Sequence, residues 1–135
     1  MYIITSPAKI LLSTNKKTGK NKYFPLNINH YRNAHFRTLH KAKKLYSELM
    51  RHKLKEIPEL DKVSLSFFLL KSNRIKSDVN NVLTIVEKFF TDCLVENGIL
   101  KDDNYLYLEE TNFKLKGIYP ELEDDIIEVY IKPLK

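Results

Sequence analysis

Residues 77–92, "SDVNNVLTIVEKFFTD", set an acid and two amides at the start of an apolar helical pattern that later carries a lysine and a second acid. At about 100° per residue, Asn81, Lys88 and Asp92 fall on one flank of this helix, beside its apolar line. Asp78 stands just ahead of the first turn, where an acidic side chain caps free N–H groups. The segment is either a capped helix with a surface Lys–Asp pair or one wall of a charged site.

Two further aspartates follow this helix. Asp102 and Asp103 come after the short return "GILK" and lead into the next strand-like segment. A strand placed beside the start of the helix would bring them close to Asp78. Carboxylates gathered in this way suit Mg²⁺, which takes oxygen ligands, and a nearby lysine would neutralise charge developing on a phosphate. Each acid alone has an ordinary role as a cap or turn residue, but their joint placement predicts a metal-dependent phosphodiester site.

The elements that must position these residues alternate between strands and helices, and their order predicts an α+β fold, a mixed β-sheet with two main helices packed on it. The segments are an extended stretch at 2–14 interrupted by Pro7, a basic loop at 15–22, a helix from Asn27 or Asn29 to before Pro58, a strand at 62–71, a helix at about 80–97 with Gly98 as its cap, and two strands within 104–120 and 125–133. Apolar positions of the long helix at near-helical spacing are Tyr31, Ala34, Ala42, Leu45 and Leu49, with Leu39 beside them.

The bulk composition is that of one globular domain spanning residues 1–135, with a formal net charge of +6. Residues 1–76 hold 17 Lys/Arg and four Asp/Glu, whereas residues 77–135 hold six and 13. A field that positive over half of a small domain suits a polyanion such as nucleic acid. The alternative is a lysine-rich surface that is merely solvated.

The remaining bulk properties indicate a soluble, cytoplasmic protein of a bacterial or phage-infected cell. Cys93 is the only cysteine and lies among helix-core residues, so no disulfide forms within the chain. No apolar run reaches the length of a membrane span, and the segment "MYIITSPAKILL" lacks the pattern of a signal peptide. We therefore expect no membrane partner.

The segments described above resemble the RusA family of Holliday junction endonucleases. The family pattern is an Asp-x-Asp-Asn segment opening a helix, a Lys followed four residues later by Asp-Ala-Leu, then a Gly and a pair of aspartates. The matching pieces are "DVNN" at 78–81, "KFFTDCL" at 88–94 and "NGILKDD" at 97–103. The upstream segment "FPLNINHYRNAHFRTLHKAKKLY" is also similar to phage-type and Gram-positive members, so the resemblance covers about residues 24–108.

The resemblance implies a RusA-like nuclease domain that works as a homodimer and resolves four-way DNA junctions by paired symmetric nicks, in DNA recombination and repair. It implies Mg²⁺ as the cofactor, with Mn²⁺ as a substitute. By matched position, Asp78 and Asp103 are metal-binding and catalytic, and Lys88 is the catalytic lysine. Further metal-site positions by the same match are Asn80, Asp92 and Asp102.

Two departures from the family pattern bear on activity. About one extra helical turn separates "DVNN" from Lys88, and the second aspartate of the pattern is Asn80. An amide oxygen ligates a metal without bringing negative charge, so Mg²⁺ affinity should fall. Three explanations are open: Glu87 or Asp92 supplies the missing carboxylate, the change was introduced to inactivate the chain, or cleavage was lost and junction binding kept.

Basic residues of the long helix and its flanking loops are the predicted DNA-binding surface, since phosphate contacts position a protein without reading bases. A solvated helix face is the alternative for any single one. Two other functions remain open, a junction-binding protein without catalysis and an adaptor whose acidic half docks a partner. The predicted DNA-binding residues are Lys16, Lys17, Lys20, Lys22, Arg32, Arg37, Lys41, Lys44, Arg51, Lys55, Arg74 and Lys76.

Three histidines of the long helix, His30, His35 and His40, are evenly spaced by five residues. Five residues advance a helix by about 140° beyond a full turn, so these side chains fan around it and do not converge. The spacing therefore indicates packing or DNA contact and argues against a zinc site.

Overall fold

The computed structural model describes residues 1–134 and has an α+β architecture with a mixed four-stranded sheet, a separate two-stranded sheet and three helices. The elements in chain order are β1 (Tyr2–Pro7), β2 (Lys9–Thr14), β3 (Asn21–Pro25), α1 (Ile28–Asn33), α2 (Phe36–Leu54), β4 (Lys62–Lys71), α3 (Val79–Glu96), β5 (Leu108–Ile118) and β6 (Ile126–Leu134).

The main sheet has the strand order β1-β6-β4-β5. Strand β6 runs antiparallel to both β1 and β4, whereas β4 and β5 are parallel. Two parallel strands need a crossover, and α3 is that crossover, as expected for a βαβ unit. Helix α3 therefore runs back along the sheet from the carboxyl end of β4 toward the amino end.

The packing of β4 against α3 forms the centre of the core. Alternate residues of β4 are buried, and the ring of Phe67 meets that of Phe90 edge to face at 5.8 Å between centroids. On the adjoining side of α3, Phe89 makes the same contact with Tyr46 of α2 at 5.5 Å. The predicted strand at 62–71 and the predicted apolar face of α3 are confirmed, because period-two and period-3.6 burial both follow the sequence pattern.

Caps at both ends of α3 explain its boundaries. The side chain of Asp78 accepts a hydrogen bond from the backbone N–H of Asn80, which satisfies one of the free donors of the first turn. At the other end Gly98 adopts φ of 71°, the left-handed conformation that a helix stop requires. The predicted cap at Gly98 is confirmed.

The long basic helix is two helices, and its prediction as one continuous element is wrong. Asn27 caps α1 as predicted, but the backbone is extended at Ala34 and at His35. The imidazole of His35 then accepts from the N–H of Arg37 and starts α2 afresh. The new start sets the buried line of α2, and Leu49, which the sequence pattern placed on that line, is 48% exposed. The buried residues of α2 are Ala42, Tyr46, Met50 and Leu54.

The extended stretch at 2–14 is confirmed as two strands, and Ala8 separates β1 in the main sheet from β2 in the small one. Strand β2 pairs with β3, so part of the predicted basic loop is strand. Within residues 1–134, none of the helices combines the length and the apolar character needed to cross a bilayer.

Candidate functional site

Asp78 and Asp103, the two aspartates predicted to share a metal ion, lie at opposite ends of the βαβ unit. Asp78 caps the start of α3, beyond the carboxyl end of β4, whereas Asp103 follows the end of α3 and precedes β5. Because β5 is parallel to β4 with Val63 opposite Leu108, β5 begins near the amino end of β4. Helix α3, with 18 residues, spans about 27 Å between these ends. The predicted approach of the two carboxylates required β5 to begin beside the start of α3, and the parallel pairing reverses that placement.

Asp102 has the local role of a turn residue. Its carboxylate accepts hydrogen bonds from the N–H of Asp103 at 2.8 Å and from the side-chain amide of Asn104 at 3.0 Å. The backbone hydrogen bond from Asp103 is the main reason that the pKa of Asp102 lies below its usual value. Both lone pairs that face the turn are therefore engaged in holding the loop.

A different group of charges comes together along the outer flank of α3, and we call it the α3 acidic group: Glu87, Asp92 and Asp103. Burial is the largest cause of a raised pKa at Glu87, Lys88 opposes the rise and Asp103 adds to it. Burial also raises the pKa of Asp92, Lys43 opposes the rise and Asp103 adds to it. Asp103 thus acts on both helix acids, which lie five residues apart along α3.

Lys88 lies within the electrostatic reach of both helix acids but does not form the predicted direct pair with Asp92. The four ion pairs of residues 1–134 all lie elsewhere, and the charge of Lys88 only moderates the pKa of Glu87 and Asp92. The ion pairs are Lys9–Asp124, Lys62–Glu109, Lys71–Asp125 and Lys116–Glu128. Lys88 therefore keeps an exposed ammonium group next to two partly desolvated carboxyls.

The α3 acidic group offers the oxygen donors that Mg²⁺ prefers, but these donors are not arranged around one point. Across residues 1–134, no three His, Cys, Asp or Glu side chains stand in an arrangement that would hold a metal ion. Asn80, the amide in place of the second family aspartate, is exposed at the first turn of α3, and only its backbone N–H is engaged, by Asp78. The side chains present therefore suit Mg²⁺ in chemistry but do not form a ready site for it.

The exposed face of α2 carries an uninterrupted line of positive charge, which we call the α2 cation stripe: Arg37, Lys41, Lys44, Arg51 and Lys55. The spacings of four, three, seven and four residues keep all five within about 40° of one line on the helix, opposite the buried face. The stripe is about 27 Å long, and Glu48 is the one acid among these positions. Within the described chain, no ion pair involves a stripe residue.

The loop between β2 and β3 extends this basic surface. Asn15 holds the loop in shape, because its side-chain oxygen accepts from the N–H groups of Lys17 and Thr18 at 2.8 and 3.2 Å. A cavity of about 330 Å³ is lined by Lys22 of β3 together with His35 and other residues of α1 and α2, so the hairpin stands beside the start of α2. The predicted basic residues outside the stripe, all exposed, are Lys16, Lys17, Lys20 and Lys22 of the hairpin, Arg32 of α1, and Arg74 and Lys76 of the loop before α3.

Two polar contacts near the start of α3 were missed by the sequence pattern. The Lys71 ammonium group, 9% exposed, donates to Asp125 at 2.8 Å and to Ser77 at 3.0 Å. The side chain of Asn81 accepts from the N–H of Ile28 at 2.9 Å and so ties α3 to α1. The only signal in the sequence was a lysine that directly follows an apolar strand.

Neither the protein-family models nor the curated protein sequences contain a match to this chain. The functional argument therefore stands on the geometry above and on the motif resemblance.

Proposed function

We propose that this protein binds branched DNA on its basic surface and, when Mg²⁺ is supplied, cuts it as an endonuclease of the RusA type. The observation that carries the proposal is the α2 cation stripe, a straight line of five cations without acidic partners. Lys88 and the α3 acidic group are the candidate catalytic charges.

DNA binding is supported by charge that the fold leaves available. Cations paired with acids contribute little to phosphate binding, because displacing the acid offsets the gain. Here the ion-paired lysines of the described chain lie outside α2 and the hairpin loop. Each phosphate neutralised by a free cation releases counterions, so binding is favoured at low salt and falls steeply as salt rises.

Cleavage is supported by the family motif and by the charge environment of α3. Lys88, Asp92 and Asp103 belong to the RusA-like segments and influence one another, and the raised pKa of Asp92 is typical of acids that serve a functional site. A bound Mg²⁺ would polarise a phosphate oxygen and lower the pKa of a water molecule. The role of Lys88 would be to neutralise charge on the phosphate, and that of Glu87 and Asp103 to supply oxygen ligands.

Junction binding without cleavage is the second candidate, and two observations favour it. Asp78 and Asp103 are separated by most of the length of α3, and Asn80 lacks the charge of the family aspartate. A protein with this surface but without a formed metal site would bind the junction and leave it intact.

A labelled four-way junction separates the two candidates. The protein should shift the junction on a gel in EDTA, and addition of Mg²⁺ should then yield nicked duplex products. Asp103→Asn and Lys88→Ala should abolish the products and retain the shift, whereas Asp61→Asn, at an exposed aspartate remote in sequence, should change neither. Intact junction at every Mg²⁺ concentration would favour binding alone, and absence of a shift would contradict both.

A further inference from the structure

Strand β5 is an open edge of the main sheet. Within residues 1–134 its one strand partner is β4, so one side of an 11-residue backbone has free N–H and C=O groups. An exposed edge of this length is a template for pairing with another strand, and proteins commonly protect such edges.

The opposite edge, β1, is protected where β5 is not. Strand β1 has six residues and ends at Pro7, which has no N–H to donate. The ammonium group of Lys53 donates to the carbonyl oxygen of Thr5 at 2.6 Å and covers part of that edge. The two ends of the sheet therefore differ, and β5 is the one able to accept a partner strand.

Exposed apolar side chains accompany the β5 edge. Leu115 is 49% exposed and Ile118 41% exposed, and both line a cavity of about 190 Å³ together with Ile75 from the loop before α3. Ile75 is 72% exposed. A partner at this edge would cover apolar surface in addition to pairing the backbone.

The charge pattern of β5 is complementary to itself when the strand is reversed. In an antiparallel pair centred on Asn112, Glu110 of one copy lies opposite Lys114 of the other, and the reverse contact forms by symmetry. Glu110 and Lys114 are both exposed and take no part in the ion pairs of the described chain. Their outer neighbours Glu109 and Lys116 already have partners within the chain.

The stretch around this centre is regular enough to pair. The β4–β5 register shifts between Val63 and Ser64 and between Leu69 and Leu70, and from residue 110 to residue 115 the pairing is continuous. The acid, the central amide and the base all lie within that continuous stretch.

We propose that two copies of this chain associate through β5, antiparallel and with the two-fold axis at Asn112, so that two four-stranded sheets join into one of eight strands. The family resemblance implies a dimer without indicating its interface, whereas the strand edge and its charge pattern identify one. The proposal does not depend on DNA binding or cleavage, and its test needs neither.

Charge reversal tests the interface and its register together. The wild type should sediment as a dimer at micromolar concentrations, and Lys114→Glu should weaken the dimer by about tenfold or more, because two attractive cross-strand pairs become repulsive. Glu110→Lys combined with Lys114→Glu should restore it. Lys132→Glu, an exposed site on β6, is the control for net charge, and circular dichroism confirms that each variant is folded.

Cysteine cross-linking gives an independent reading of the register. The two copies of residue 112 should have Cα atoms about 5 Å apart, within the range for a disulfide, so Asn112→Cys should form a linked dimer on oxidation. In Glu110→Cys the new thiols would lie about 13 Å apart and should not link. A monomeric wild type, a dimer indifferent to Lys114→Glu, or failure of the charge swap to restore association overturns the proposal.

Discussion

Removing part of the α2 cation stripe should reduce DNA affinity by an amount that the geometry sets. Lys41, Lys44 and Arg51 lie on one line of the helix, exposed and without acidic partners in the described chain. Each phosphate contact contributes about 0.9 to the slope of log K against log salt, which is roughly eightfold in affinity at 0.1 M salt. The triple alanine variant should therefore lose about 2.7 from the slope and roughly 500-fold in affinity at that salt concentration.

Fluorescence anisotropy of a labelled junction at several salt concentrations measures both quantities. The matched control replaces Lys9, Lys62 and Lys116 by alanine, which removes the same formal charge from cations that already have acidic partners. That control should change the slope by less than about one contact. If the two triple variants lose affinity equally, net charge and not the stripe governs binding, and the reasoning fails.

Three further predictions concern individual groups. Asp103→Asn should lower the raised pKa of Glu87, measured by carbon NMR, and should raise the melting temperature at pH 7; this gain should vanish below the ordinary carboxyl pKa of about 4, where the acid is protonated in both states. Asp125→Asn should cost roughly 3 kcal/mol in urea unfolding, because Lys71 keeps a buried charge without its partner. Burial raises the pKa of Asp125, but hydrogen bonds outweigh it and the pKa is lowered, so the wild type should lose this stability only as pH falls below the usual range. Burial raises the pKa of Cys93 to about 12, so a thiol reagent should react with the folded protein at pH 8 far more slowly than with the unfolded chain.

Local patterns in the sequence predicted the elements around the site well. The alternating and then continuous apolar residues of 62–71 identified β4, since burial on the helix side repeats every second residue. The apolar line through Val86, Phe89 and Cys93, with Asp78 before it and Gly98 after it, identified α3 and its ends. These features depend on neighbours in sequence, which is why a single chain reveals them.

Features set by distant pairing were not visible in the sequence. The approach of Asp103 to Glu87 follows from β5 lying parallel to β4, and nothing in the segment 97–107 indicates which strand β5 joins or in which direction. The break at Ala34 was hidden because neither a proline nor a glycine marks it, and its cap is a histidine rather than one of the residues that usually begin a helix. Strand β3 was missed because "NKYFP" is short and adjoins a lysine-rich loop.

The most direct test of the central claim is a titration of four-way junction and matched duplex DNA, in EDTA, across a range of salt concentrations. The account predicts binding at low salt, preference for the junction, and a slope of log K against log salt of at least about −4 from the five stripe cations. Absence of binding at low salt, or affinity indifferent to salt, would contradict it.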